Sequence, residues 1–237
     1  MSLNPLTGRM TPLAALDRDG AAVLAVDAAT GRVVLQTAAG RIDVLDVRTG
    51  RRTRLASMPM VNRETAVVTD GTGGHIVVAQ LVDDVSDIRV SVFAASSGRR
   101  LITFDVMGGA GSGYATFSLA LDPRRGRLVI APYIGPYDVF VYDWRSGTLL
   151  NTVTVPMAYG YPTAAIDPAT GHAYVTTLPA PDHDQQYPSS PGYIVAFDPA
   201  KGSIVSSLAI GQTPQAILVD DAVGHVFTCS DGVAMVR

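Results

Sequence analysis

A single cysteine, Cys229, and a single lysine, Lys201, occur among the 237 residues of the chain. One cysteine excludes an intrachain disulfide and any paired-cysteine zinc site. Cys229 sits in the apolar pattern VFTC and is expected to be a buried, inert thiol. Charge is sparse as well. Charged residues make up 16% of the chain, the net charge is −3, and the cations, nearly all arginine, are scattered near turns. Without a clustered basic surface there is no electrostatic case for nucleic acid as a partner. No apolar run approaches the ~18 residues of a helical membrane span. There is no G-x-S-x-G, no phosphate loop and no recognisable metal-ligand set, so no catalytic residue, cofactor or metal ligand is assigned. The opening MSLNPLTG carries neither a charged n-region nor an apolar h-region, and the compartment stays open.

What the chain does have is 47% hydrophobic residues punctuated by 23 glycines and 15 prolines, a globular composition. The clearest pattern is Phe117 to Val155, FSLALDPRRGRLVIAPYIGPYDVFVYDWRSGTLLNTVTV. Alternating apolar and polar residues over five to eight positions, bounded by Gly, Pro and Asp, predict four short strands: FSLALD, RLVIAPY, DVFVYD and TLLNTVTV. The turns between them read D-x-x-x-G-R and D-x-x-S-G. An Asp carboxylate there can accept a backbone N–H two residues on, and Gly takes the positive φ the reversal needs.

This unit recurs. First strands end at Asp27, Asp70, Asp122, Asp167 and Asp220, at steps of roughly 40 to 50 residues, and third strands align as IDVLD, VSVFA, VFVYD, IVAFD and VAMVR. Four strands per unit at this spacing predict an all-β protein, a β-propeller of four-stranded antiparallel blades forming one domain over 1–237. A β-solenoid would need shorter repeats and a ladder of identical inward residues. The blades fall at about 17–58, 64–106, 115–155, 163–210, and 215–237 plus 4–16. In that last blade Asn4 to Leu16 is expected to supply the missing outer strand and close a five-bladed ring, with Pro12 tolerated on an outer edge. The alternative is a five-unit piece of a six- or seven-bladed propeller.

The repeats resemble the YVTN-type β-propeller repeat family. The residues that carry the likeness are Pro162-Thr163-Ala164-Ala165-Ile166-Asp167, Thr170-Gly171-His172-Ala173-Tyr174-Val175, Phe197-Asp198 and Gly211-Gln212-Thr213-Pro214. The resemblance implies a propeller fold and an exported or cell-surface setting. Members are mostly seven-bladed, so five units depart from that count. Some relatives resemble sugar-lactone hydrolases or quinone-dependent dehydrogenases, but none of their site residues maps onto a position here.

Propeller topology sends the Asp/Gly turns to one face and the second-to-third-strand and blade-to-blade loops to the other. Of the nine tyrosines, Tyr114, Tyr133, Tyr137, Tyr159, Tyr161, Tyr187 and Tyr193 fall in or beside the second set, and Tyr142 and Tyr174 sit mid-strand. Clustered loop tyrosines offer rigid, amphipathic contact area at low entropy cost. The longest loop, Leu178 to Tyr193, adds Asp182, His183 and Asp184 on the same face, and Asp138 opens a third strand there. The expected role is a non-catalytic binding scaffold, monomeric, that takes a protein, peptide or glycan on Tyr114, Tyr133, Tyr137, Asp138, Tyr159, Tyr161, Asp182, His183, Asp184 and Tyr187. The alternative is an enzyme on a small polar substrate at the channel mouth, metal-assisted through Asp182 and His183 with Asp83, Asp84 and Asp87 nearby. His75, His172 and His225 follow turn glycines, in slots where Arg32 and Arg127 stand in other units, and read as structural. Turn aspartates that recur once per unit read as turn stabilisers.

Overall fold

The computed structural model describes residues 21–57, 64–72, 74–82, 87–106, 116–133, 138–155, 162–177, 191–210, 214, 216–220 and 224–229, together with the strand pairing of 2–3, 10–11 and 233–236. All regular structure among them is β. Four sheets have four antiparallel strands each, in sequence order. The first holds β3 (Ala22–Asp27), β4 (Arg32–Gln36), β5 (Arg41–Asp46) and β6 (Arg52–Ser57). The second holds β7 (Thr65–Thr69), β8 (His75–Leu81), β9 (Ile88–Ala94) and β10 (Arg100–Val106). The third is β11 (Phe117–Asp122), β12 (Arg127–Pro132), β13 (Asp138–Asp143) and β14 (Thr148–Thr154), close to the strands read from the sequence. The fourth is β15 (Ala164–Ile166), β16 (Ala173–Thr177), β17 (Tyr193–Asp198) and β18 (Ser203–Ala209). A fifth sheet has three strands, β19 (Ala216–Asp220), β20 (His225–Cys229) and β21 (Val233–Val236). The first strands of successive sheets lie side by side, β3 by β7, β7 by β11, β11 by β15 and β15 by β19. Four-stranded meanders that meet by their first strands are the blades of a β-propeller.

At the N-terminus, β1 (Ser2–Leu3) pairs antiparallel with β2 (Met10–Thr11) in a separate two-stranded sheet. Among the described pairings the fifth sheet ends at β21. The expected pairing of the N-terminal strand with that sheet is therefore not among them.

The second strands show how the blades stack. In β12, Leu128 and Ile130 pack toward the second blade, whereas Val129 and Ala131 pack toward the fourth. In β8, Ile76 and Val78 face the first blade and Val77 and Ala79 face the third. With both faces covered, these strands carry near-continuous apolar runs, IVVA and LVIA, where a half-exposed strand would alternate. Side chains of this size gain about 1.5 to 3 kcal/mol each on burial, so the inter-blade layers hold the described fold together.

The turns carry the recurring aspartates. Asp27, Asp70, Asp122 and Asp167 are buried. Asp122 Oδ1 accepts the Arg125 N–H at 3.0 Å, and Asp167 Oδ1 accepts the Ala169 N–H at 2.8 Å. Asp143 Oδ1 accepts from Arg145 and Ser146, and Asp46 Oδ1 from Arg48 and Thr49. These carboxylates are spent on turn amides, as their periodicity implied. Blades are tied across the same face: Arg125 donates to the Pro168 and Ala169 carbonyls, and Asn151 to those of Pro199 and Ala200. Gly147 sits here at φ +72°, where a Cβ would stand 2.8 Å from the Phe104 ring of the preceding blade. Only glycine admits that approach.

One expectation fails. Cys229 is exposed, because in β20 the inward positions are Val226 and Thr228, and the cysteine ends the strand beyond them.

Candidate functional site

Strand register sorts the two faces. Asp122 pairs with Arg127 and Asp143 with both Arg127 and Thr148, so the Asp/Gly turns gather at one end of the blade. Phe117 opposite Pro132, and Asp138 opposite Thr154, mark the other end, from which the loops leave.

Two loop-set tyrosines are described, and both stand at that end. Tyr133 follows β12 with its ring half-buried, and its N–H donates to the Thr116 carbonyl at 2.7 Å. Tyr193 opens β17 opposite Thr177 and Ala209, also half-buried. The mid-strand tyrosines differ. Tyr142 is buried between blades and stacks on Phe104 at 5.1 Å, and burial pushes the Tyr142 and Tyr174 hydroxyls up from the usual phenol range. Asp138 is half-exposed at the loop end, where its Oδ1 accepts the Thr154 hydroxyl at 2.7 Å. Tyr114, Tyr137, Tyr159, Tyr161, Asp182, His183, Asp184 and Tyr187 lie outside the described residues, as do Asp83 and Asp84. Among the described residues no three His, Cys, Asp or Glu side chains converge on one point.

Glu64 was not singled out from the sequence, although it is the only glutamate of the chain. It precedes β7 at the loop end of an innermost strand, next to the third blade. Its Oε1 lies 3.4 Å from the Phe117 N–H, and its carbonyl accepts from Leu81. Burial raises the carboxyl above the ordinary glutamate range, and the Phe117 amide offsets this in part. The neighbouring hydroxyls Thr65 Oγ1 and Thr116 Oγ1 are buried and make no hydrogen bond among the described residues. Further hydroxyls lie near this end: Ser118 Oγ accepts the Ala164 N–H at 3.0 Å between the first strands of blades three and four, and Thr176 Oγ1 of β16 accepts the Thr163 N–H at 3.0 Å within blade four. A half-buried carboxyl near hydroxyls can bind hydrogen-bond donors or a cationic group. The available signal was its solitary occurrence just before a first strand, in a chain that otherwise uses aspartate.

On the turn face the histidines are structural. His75 Nδ1 is 2.9 Å from Asp70 Oδ2, and its ring packs on Trp144 at 4.9 Å. His225 meets Phe227 edge-on.

No protein-family model matches the chain, and no curated protein sequence matches it. Among solved structures it is similar to the WD40 domain of coronin from Toxoplasma gondii, with a TM-score of 0.62 at 10% identity. The likeness covers 84% of this chain and 50% of that one, so the chain spans half that protein's length. At such identity the likeness shows the fold alone, and the fold is a β-propeller.

Proposed function

We propose that the chain is a non-catalytic binding scaffold whose loop face recognises a protein, peptide or glycan, with Tyr133, Tyr137, Tyr159, Tyr161 and Tyr187 as contacts. One observation carries this reading. Tyr133 and Tyr193 both stand at the loop end of the blades and are partly exposed, whereas Tyr142 is buried between blades. Partly exposed tyrosines at the same end of the blades as Asp138 and Glu64 suit a partner with both apolar surface and hydrogen-bond donors. Tyr159→Ala combined with Tyr161→Ala is expected to leave the melting temperature in place and abolish partner capture from a peptide or glycan array. Unchanged capture by the folded variant would retire this face.

In this reading the ring is a YVTN-like propeller of five blades that Asn4 to Leu16 completes. Support comes from Leu218 and Val26. These two exposed side chains lie on the sheet faces that closure would bring together. Removal of residues 1–16 should then lower the melting temperature by several degrees, and an unchanged melt excludes closure by that segment.

Glu64 favours a second reading, an enzyme with a small polar substrate at the channel mouth, because burial poises its carboxyl nearer the range of an acid–base group. Calcium or zinc titration followed by melting tests the metal-assisted form, since a metal selective for the native state raises its stability. A flat response removes that form.

A further inference from the structure

The innermost strands are sheet edges. Among the described pairings β3, β7, β11, β15 and β19 each have a partner strand on one side and the channel on the other. Alternate residues of such a strand turn both backbone groups away from the partner. Tyr133 donates to the Thr116 carbonyl and Leu81 to that of Glu64, so the next residues, Phe117 and Thr65, turn their N–H and C=O groups into the channel. Ala164 does the same after Thr163, whose carbonyl accepts from Thr176. Side chains of the preceding blade meet two of these amides: Glu64 Oε1 lies 3.4 Å from the Phe117 N–H, and Ser118 Oγ takes the Ala164 N–H at 3.0 Å. Glu64 therefore stands in the channel wall, at its loop end.

The surroundings of that carboxylate are one-sided in charge. It makes no further hydrogen bond and no ion pair among the described residues. No Lys, Arg or His occurs in β3, β7, β11, β15 or β19. Of the described cations at this end, Arg89 pairs with Asp105 and Arg41 opens β5; both stand on third strands, away from the channel. In sequence, the segments that join strands at this end carry Asp83, Asp84, Asp87, Asp182, Asp184 and Asp231 against Arg63. The carbonyls of Thr65, Phe117 and Ala164 add acceptors to the same wall. A metal ion asks for several converging ligand side chains, and no three converge among the described residues. One carboxylate among carbonyls suits instead a charged group with several N–H donors.

We propose that the loop mouth of the channel receives a lysine or arginine side chain of a peptide partner, its ammonium or guanidinium group on Glu64 and the neighbouring carbonyls. This rests on the reading of the loop face as a binding surface, and it names the chemistry of what that surface takes. The acidic connections draw a basic segment toward the mouth, and the channel carboxylate fixes one of its side chains. A neutral glycan would leave the charge of Glu64 unanswered, so the charge favours the peptide.

The test is titration of the full chain with a blocked glycine–serine peptide bearing lysines, and with counterparts carrying arginine, norleucine or glutamate in their place, at low salt and at about 0.5 M salt. The lysine and arginine peptides are expected to bind, more weakly at high salt, and the other two not to bind. Glu64→Gln keeps the shape and the acceptor for Phe117, and should weaken the lysine peptide about tenfold. Asp87→Asn, on a connection, should weaken it about twofold. If Glu64→Gln does not fold, Glu64→Asp, which keeps the charge on a shorter side chain, is expected to weaken it severalfold. The proposal is overturned by failure of both basic peptides to bind, by equal binding of the norleucine peptide, or by a folded Glu64 variant that binds like the parent. Spermidine binding more tightly than the lysine peptide also overturns it, and assigns the mouth to a free polyamine. Equal binding of the norleucine peptide, lost in the Tyr159→Ala, Tyr161→Ala variant, would leave the loop face standing and remove this inference alone.

Discussion

The layer between the third and fourth blades and the outward side of the fourth and fifth are built from the same pattern and end in opposite environments. Val153 pairs with Val139 in β14, and Leu208 pairs with Ile194 in β18, at equivalent register. Val153 is 2% exposed and Leu208 47%. The first strands differ in the same way: Ala120, two residues before its aspartate, is 6% exposed, and Leu218, at the corresponding place, is 65% exposed. A strand's alternation decides which side chains turn to a given face. Whether that face is dry depends on the next blade, so burial in a propeller is a property of neighbouring pairs.

The largest effect follows at the dry layer. Phe197 is fully buried between the third and fourth blades, and Phe197→Ala should cost about 3 to 5 kcal/mol in urea unfolding, through lost transfer energy plus the cavity. A cost below about 1 kcal/mol would mean that this layer collapses around the loss. Gly147→Ala comes next. Left-handed φ alone costs a Cβ-bearing residue roughly 1 to 2 kcal/mol, and here the added Cβ also meets Phe104. Gly31→Ala is the control, since its φ is +65° but nothing lies within 4 Å. The excess of Gly147→Ala over Gly31→Ala reads the tightness of the contact between blades two and three. Equal costs would show that Phe104 moves aside freely.

These layers explain what could be read beforehand. Strands, turns and repeat period were legible because each depends on local chemistry: alternation in DVFVYD, an aspartate that caps its own turn, a glycine at positive φ. Tyr142 and Tyr174, read as mid-strand from the alternation, do lie mid-strand. Cys229 could not be read the same way. The apolar company of VFTC is contiguous in sequence, but burial in β20 falls on alternate residues and the strand stops at the cysteine. Glu64 was missed for a related reason. Its importance lies in contact with Phe117, a residue of the next blade, and no local pattern announces a contact between blades.

A smaller effect separates the faces by pH. Burial alone would raise the Asp70 and Asp167 carboxyls, but hydrogen bonds from His75 and Thr72, and from Thr170 and Ala169, outweigh it and hold both below the ordinary aspartate value. A lowered native pKa adds stability above the unfolded value, and that stability is lost as pH falls through the native one. Asp70→Asn should therefore flatten the acid limb of a stability–pH curve. Glu64 on the loop face has the opposite sign. With its native pKa raised, the stability linked to it is present below the unfolded value and lost as pH rises through the native value. Glu64→Gln should remove a decline just above pH 4 to 5 and leave the acid limb intact. If both substitutions alter the same limb, the two faces are not electrostatically distinct.

The smallest expected effect bears most directly on the two environments of that shared pattern. Val153→Ala should cost roughly 2 kcal/mol, two methylene equivalents at about 0.8 each plus a residual cavity. Leu208→Ala removes more carbon but from an exposed position, so it should fall within about 0.5 kcal/mol of the parent. That inversion, in which the larger truncation does less harm, follows from the open outward side of the fourth blade. A Leu208→Ala cost of 2 kcal/mol or more would show that something covers this face in solution. The same measurement on a chain lacking residues 1–16 then identifies the cover: if the cost disappears with that segment, the N-terminal strand reaches the last blade and the ring is closed. If it persists, the cover is a second copy, and the cost will depend on protein concentration.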